Sequence, residues 1–336
     1  MIEEILHNLY RLEIPLPNSP LKALNSYVIK NTKRNLIIDT GFNRQECQEA
    51  MRAGLDELEV DLKETDLFIT HMHADHFGLV SSLATDASRV YFNKPDAEWI
   101  KSGWGWKHII NYAELNGFPR GELQTALSDH PGFKYSGKRV PELYIICEGD
   151  IISAGSYKFR CVETPGHTRG HMCLYERDKK FLMAGDHILA DITPNITCWF
   201  DEINPLADYL ESLDKVYNLD VDLVFPGHHG IIRNCKERIG ELKQHHEDRI
   251  AEVLSVLEGG SKSAFEVASG MTWSIINESW NHLPVLQKWF AAGEAIAHLR
   301  YLEDKCLITK EMQEGKAFFR LNEDSEKSTR CHRQKE

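Results

Sequence analysis

The segment Thr70-His71-Met72-His73-Ala74-Asp75-His76 places four potential metal ligands within six positions. It follows the apolar run Leu67-Phe68-Ile69, which puts it at the C-terminal end of a predicted strand, where α/β folds carry their chemistry. The same order recurs later in the chain. His167 follows the predicted strand Lys158–Glu163 in Thr164-Pro165-Gly166-His167, and Asp186-His187 follows Phe181–Ala184. Pro226-Gly227-His228-His229-Gly230 follows Leu223–Phe225, and the Pro-Gly-His order favours His228 over His229. Pro and Gly beside the candidates suit tight turns that hold a side chain at a fixed angle. Neutral imidazole and carboxylate are good ligands for zinc and similar divalent ions. The cluster contains no cysteine, which points to an open catalytic site rather than a closed structural one. Five histidines and two aspartates exceed one tetrahedral ion. They fit two ions that share a bridging carboxylate and a bridging water.

The elements that would position these residues are short. Further strands are predicted at Ser26–Ile29, Asn35–Ile38, Asp66–Thr70, Arg89–Phe92 and Met172–Glu176. Helical patterns lie between them at Arg44–Leu58, Glu98–Asn116 and Leu206–Val216, so the first 230 residues read as α/β. Beyond Gly230 a helix is predicted over Cys235–Glu258, with Gly259-Gly260 ending it. A hairpin is expected at Leu307–Leu321 around Glu314-Gly315. The domain expectation is a catalytic domain over 1–258 with an inserted lid at 95–146, a small domain at 259–322, and a polar, disordered tail at 323–336. The insertion is rich in aromatic residues. Trp104, Trp106 and Tyr135 are candidates for the wall of an apolar acyl pocket, and Tyr209 is a candidate hydroxyl for orienting substrate.

The 336 residues are 42% hydrophobic and 27% charged, which excludes wholesale disorder. The net charge of -12 argues against a nucleic-acid partner. No run approaches the roughly 18–20 apolar residues of a membrane span. The acidic start MIEEILHNLYRLEIPLP lacks the apolar core of a secretory signal, so a cytoplasmic location is expected. The eight cysteines show no CxxC spacing, and the 16 histidines are the unusual count.

At these residues the chain resembles the metallo-β-lactamase superfamily from about residue 10 to 232. Asn25-Ser26-Tyr27-Val28 and Ile37-Ile38-Asp39-Thr40-Gly41 are similar to its opening strands, and His71-Met72-His73-Ala74-Asp75-His76 to its signature motif. The resemblance implies a four-layer αβ/βα sandwich of two packed sheets with helices outside. It also implies two divalent ions, zinc foremost, with iron and manganese accepted by the same donors. His71, His73 and His167 would hold the first ion. Asp75, His76 and His228 would hold the second, and Asp186 would bridge. Asp39 would orient a ligand or its loop, and His171 and His187 would support the ligands from behind. His73 stands where flavodiiron oxidoreductases carry Glu, which favours the hydrolytic branch. TPGHTRGH, GDHIL and PGHHG look most like the glyoxalase-II-like and lactamase-like-protein-2 branch. Residues 294–303 resemble the last helix of that branch's C-terminal winged helix, with Leu307–Leu321 as the wing.

The expected reaction is attack of a metal-bound hydroxide on an acyl thioester, ester or lactone, with Asp75 relaying the proton. The substrate would be a small-molecule or carrier-bound acyl group. The alternative is a metal-dependent ribonuclease or phosphodiesterase acting on single-stranded RNA. Residues 262–322 hold seven basic and seven acidic side chains, which does not favour a nucleic-acid reader and leaves a homodimer contact or a share in the active-site mouth as roles for that segment.

Overall fold

The computed structural model describes residues 1–103, 105–136, 140–273 and 279–322. Trp104 and the expected tail 323–336 lie outside the described residues. The chain forms two compact units. The first comprises Met1–Trp104, Pro131–Pro194 and Tyr209–Glu241; the second comprises Gly105–His130, Asn195–Asp208 and Leu242–Glu336.

The first unit contains two sheets. One has seven strands in sequence order: β1 (Ile2–Leu6), β2 (Leu9–Pro15), β3 (Ala23–Ile29), β4 (Asn35–Ile38), β5 (Thr65–Phe68), β6 (Val90–Asn93) and β7 (Leu143–Ile146). Its first four strands run antiparallel, and β4 to β7 run parallel. The parallel connections carry α1 (Gln45–Glu57), α2 (Ala74–Phe77), α3 (Val80–Leu83) and α4 (Lys94–Lys101). The second sheet is built from β8 (Ile151–Ala154), β9 (Tyr157–Glu163), β10 (Met172–Glu176), β11 (Phe181–Gly185) and β12 (Leu223–Pro226), in the order β12-β11-β10-β9-β8.

The two sheets face each other across an apolar layer. Tyr27, Ile29, Leu36, Ile38 and Phe68 of the first meet Phe159, Leu174, Phe181, Met183 and Phe225 of the second. The other face of the seven-stranded sheet packs Ile14, Leu24, Val28, Ile37 and Leu67 against Met51 and Leu55 of α1 and Ala97 and Ile100 of α4. Strands buried on both faces therefore read as continuous apolar runs, as in β4 (NLII) and β10 (MCLYE). The expected α/β layering is present.

The predicted helix Glu98–Asn116 is not continuous. Gly103 (φ +81°) and Gly105 (φ +54°) adopt left-handed backbone, so the segment divides into α4 and α5 (Trp106–Leu115). The remaining helices are α6 (Leu123–Asp129), α7 (Pro131–Lys134), α8 (Pro205–Tyr217), α9 (Cys235–Glu258), α10 (Ala264–Gly270) and α11 (Val285–Asp304).

The second unit has its own core around α11. Trp289, 1% exposed, stacks on Trp199 at 4.5 Å and takes Phe118 edge-on at 5.5 Å. Ser263 and Glu266 form a reciprocal cap at the start of α10. The expected hairpin is present as β13 (Ile308–Gln313) and β14 (Lys316–Leu321), turning through Glu314 (φ +48°) and Gly315 (φ +78°). This division differs from the expected boundaries 1–258 and 259–322. Tyr112 and Phe118, expected in a lid, are core residues of the second unit. The winged-helix reading also depends on 274–278, which lie outside the described residues. Among the described residues, no helix is long and apolar enough to cross a membrane.

Candidate metal centre

Each candidate side chain leaves the C-terminal end of a strand. Asp39 follows β4, Thr70 to His76 follow β5, His167 follows β9, Asp186 follows β11 and His228 follows β12. The motif after β5 is a turn whose last part is helical: His73 stands at the N-cap position of the single turn α2 without a side-chain capping bond, and α2 carries Asp75 and His76. Three overlapping groups of donors result, namely His71/His73/His167, His71/His76/Asp186 and Asp75/His76/His228. Within each group the donor atoms lie within 4.8 Å of one another.

The hydrogen bonds behind these rings fix which nitrogen faces inward. Asp39 accepts from the Thr70 backbone N–H at 2.8 Å, the Thr70 hydroxyl at 2.9 Å and His76 Nδ1–H at 2.8 Å. Because the Thr70 hydroxyl donates to Asp39, it accepts from His71 Nδ1–H at 3.0 Å. His228 Nδ1–H donates to the Ala23 carbonyl at 2.7 Å. The Nε2 lone pairs of His71, His76 and His228 therefore point at the other donors, the tautomer a ligating imidazole needs. Asp39 is held at φ +58°, a strained value for a residue with a side chain. The Ser26 hydroxyl bonded to its carbonyl at 2.7 Å helps to hold it there.

Spacing and burial test whether these residues fit metal ions. His76 Nε2 lies 3.4 Å from Asp186 Oδ1, and His228 Nε2 lies 3.5 Å from the same oxygen and 3.4 Å from Asp75 Oδ2. His167 Nε2 lies 3.6 Å from Asp186 Oδ2. These distances are long for hydrogen bonds. They match the edge of a tetrahedron of ligands around zinc, about 3.4 Å for bonds of about 2.1 Å. His76 Nε2, His228 Nε2 and Asp186 Oδ1 are buried with no hydrogen-bond partner, a costly state unless a cation is to be held. Gly227 lets the β12 end approach this closely, since a Cβ there would lie 2.6 Å from Asp186 Oδ1. The residues fit.

The charges agree. Burial pulls His71 well below the usual histidine range and His73 down to about 3, with neighbouring imidazoles adding to both. Burial opposes charge on His76 and His228 too, but Asp186 and Asp75 outweigh it and raise both, with Asp39 adding to His76. Burial would raise Asp186 and Asp75, yet the facing rings hold Asp186 well below the carboxylate range and Asp75 down to about 2.

The sequence profile of the metallo-beta-lactamase superfamily matches residues 21–87 and 96–228, which include every one of these donors. The chain belongs to the metallo-beta-lactamase superfamily. A lactamase-like protein, aptB, of Emericella nidulans is 24% identical over 71% of this chain and 61% of its own length. An atrochrysone carboxyl ACP thioesterase of Aspergillus fumigatus is 24% identical over 71% of this chain and 61% of its own. The chain thus spans about three fifths of the length of these curated relatives. A crystal structure of a metallo-beta-lactamase family protein from Thermus thermophilus superposes with a TM-score of 0.80 at 25% identity, covering 95% of this chain and 100% of that one. The superfamily fold and its His/Asp groups imply divalent metal ions.

The other expected site residues fall around this metallo-beta-lactamase centre in different ways. His171 is buried; its Nδ1 meets the Thr164 hydroxyl at 2.8 Å, and its Nε2 accepts the Asp186 N–H at 3.1 Å. It positions the Asp186 backbone. His187 is fully buried beside the Tyr209 ring at 5.3 Å. Tyr209 is 0% exposed and donates its hydroxyl to the His187 carbonyl at 3.0 Å, so the expected substrate hydroxyl is a core hydrogen bond. His229 turns away toward Asp191 at 3.6 Å. Tyr135 packs on Phe42 at 4.9 Å and beneath Arg44 at 5.2 Å, and Trp106 packs on His130 at 5.0 Å; none of the three donor groups includes these residues.

Sequence reasoning missed Thr70 as the coupler between Asp39 and His71. It also missed the Ala23 carbonyl behind His228, and Asp96. Asp96, on α4, accepts from the Met72 N–H at 3.0 Å, the Thr168 hydroxyl at 2.8 Å and the Gly170 N–H at 2.9 Å. Burial pushes its carboxyl up to about 6 against those three bonds. Thr70 had a signal, since it opens the motif; Asp96 had none, being one of many acidic residues on predicted helices.

Proposed function

We propose that the chain is a hydrolase that uses two divalent ions, zinc foremost, to cleave an acyl thioester or a related ester or lactone. The observation that carries this reading is Asp186. Its two carboxylate oxygens face His76 and His228 on one side and His167 on the other, at 3.4–3.6 Å, with Oδ1 buried and lacking a hydrogen-bond partner. His71, His73 and His167 would hold one ion, Asp75, His76 and His228 the other, and Asp186 would bridge. Bound there, such ions supply Lewis acidity and a water acidic enough to ionise near neutral pH.

The chain's own residues do the rest. Asp39 and Thr70 keep His76 and His71 in the tautomer that presents Nε2 inward. Asp75, whose Oδ2 faces His228 as a donor, has its other carboxylate oxygen to accept a proton from the attacking water and return it to the leaving group. Serine or cysteine nucleophiles are not required. The thioesterase among the similar proteins supports a thioester as the first substrate to try.

The test is a substrate panel on zinc-loaded full-length protein: acyl-CoA thioesters, lactoylglutathione, lactones, nitrocefin and single-stranded RNA. Turnover of a thioester or lactone that is lost on chelation and restored by zinc is the expected result. Cleavage of RNA alone would replace this reading with the phosphodiesterase one.

A further inference from the structure

We propose that Asp96 is a positioning residue for the His71/His73/His167 donor group, tying together the two backbone segments that carry those rings. The inference rests on the metal reading of the site.

Asp96 lies in the first turn of α4, just after β6, and belongs to neither ligand segment. Its side chain bridges them. Met72, whose N–H it accepts, stands between His71 and His73. Thr168, whose hydroxyl it accepts, directly follows His167. Gly170, whose N–H it accepts through the other oxygen, directly precedes His171, the ring that holds the Asp186 backbone. One carboxylate therefore fixes the spacing between the first ligand pair and the third ligand.

The local structure is built for this contact. Asn93 caps α4 by accepting the Asp96 N–H at 2.8 Å, which aims the α4 N-terminus at the His167 segment. The Gly170 backbone lies against this cap so closely that a Cβ would sit 1.6 Å from Asn93 Oδ1 and 2.8 Å from Asp96 Oδ1, so only glycine fits. Asp96 is 1% exposed. A buried carboxylate is tolerated when its oxygens accept several hydrogen bonds, and here each accepted bond leads to a ligand-bearing segment. Asp39 plays the matching part for His76. Each end of the site then has a carboxylate that no donor group contains, one behind a ring and one behind the backbone.

Asp96→Asn keeps the shape and turns one acceptor oxygen into a donor facing donors. Thr168→Val removes one of the three bonds and leaves the carboxylate in place. Both are read by stepwise zinc titration of the full-length apoprotein against a chelator, with His73→Ala marking which ion belongs to the His71/His73/His167 group. The expected result is that D96N weakens that ion roughly 10–100-fold and leaves the other close to wild type, with T168V shifting it less in the same direction. If D96N fails to fold, T168V decides alone. Folded variants that bind both ions as wild type does would overturn the proposal, as would equal weakening of both ions together with lower thermal stability. A wild-type chain that binds no zinc would overturn the metal reading beneath it.

Discussion

His71, His76 and His228 in the first unit, and His246 and His298 in the second, are all buried imidazoles, and their surroundings are opposite in kind. In the second unit the two rings are hydrogen-bonded to each other. His298 Nδ1–H donates to the Glu294 carbonyl at 2.8 Å, which leaves His298 Nε2 to accept from His246 Nδ1 at 3.2 Å. Burial draws His298 down to about 4 and His246 to about 2. In the first unit each ring spends one nitrogen on an oxygen behind it. His76 and His228 turn the other toward carboxylates at a distance too long for a good hydrogen bond, and His71 turns its Nε2 to His73 Nδ1 at 3.0 Å. Burial alone does not separate a ligand from a core residue. The direction of the second nitrogen, and the presence of Asp75 and Asp186 opposite it, does.

The largest effect that tests this contrast comes from Asp186. Asp186→Ala removes the oxygens that face three rings, so turnover of the best panel substrate falls by more than the roughly 10–100-fold typical for loss of a ligand's hydrogen-bond partner. Steady-state rates on zinc-loaded protein check this. Asp39→Asn is expected to fall within that range, with zinc affinity and rate dropping together, because it disturbs the His76 tautomer and leaves Nε2 in place.

The pair in the second unit predicts a pH effect instead. Both rings have folded pKa values below the ordinary histidine value, so below about pH 6.5 the unfolded chain binds protons that the folded unit does not. Stability is unaffected above that pH and is lost as pH falls toward 4, by about 1.4 kcal/mol per pH unit for each ring. Urea unfolding between pH 7 and 4.5 checks the slope, to which the lowered rings of the first unit also contribute with the same sign, and His298→Gln reduces it without changing zinc content. The smallest effect is that of Tyr209→Phe. Losing its bond to the His187 carbonyl costs about 1 kcal/mol of stability, with kcat and KM unchanged. A fall in kcat there would return Tyr209 to the substrate.

The strands β4, β10 and β11 were legible in the sequence because they are buried on both faces and read as largely apolar runs, while β9 (YKFRCVE), which leads to His167, was legible by its alternation of buried and exposed residues; β4 and β10 match their expected bounds. The strands β1, β2, β7 and β8 were not. β1 (IEEIL) alternates with acidic residues and lies at a sheet edge, and β7 and β8 leave Tyr144, Ile145 and Ile151 exposed, so their patterns are weak. All seven candidate donors lie in the three groups, because each follows a strand and the strand ends converge. The supports behind them were legible only in part. Asp39 stands in a motif, but Asp96 and the Ala23 carbonyl act across 24–74 and 205 residues of chain, a separation that local pattern does not encode. The aromatic residues of the insertion were read as a pocket wall, since apolar composition alone does not say which core a side chain joins.

The central claim is that the donors of the first unit hold two divalent ions and the histidine pair of the second holds none. Plasma mass spectrometry of the zinc-reconstituted full-length protein tests it most directly. About two zinc ions per chain are expected in the wild type and in His298→Gln, and at most one in Asp186→Ala. A wild-type chain without stoichiometric metal, or Asp186→Ala retaining two ions, would contradict it.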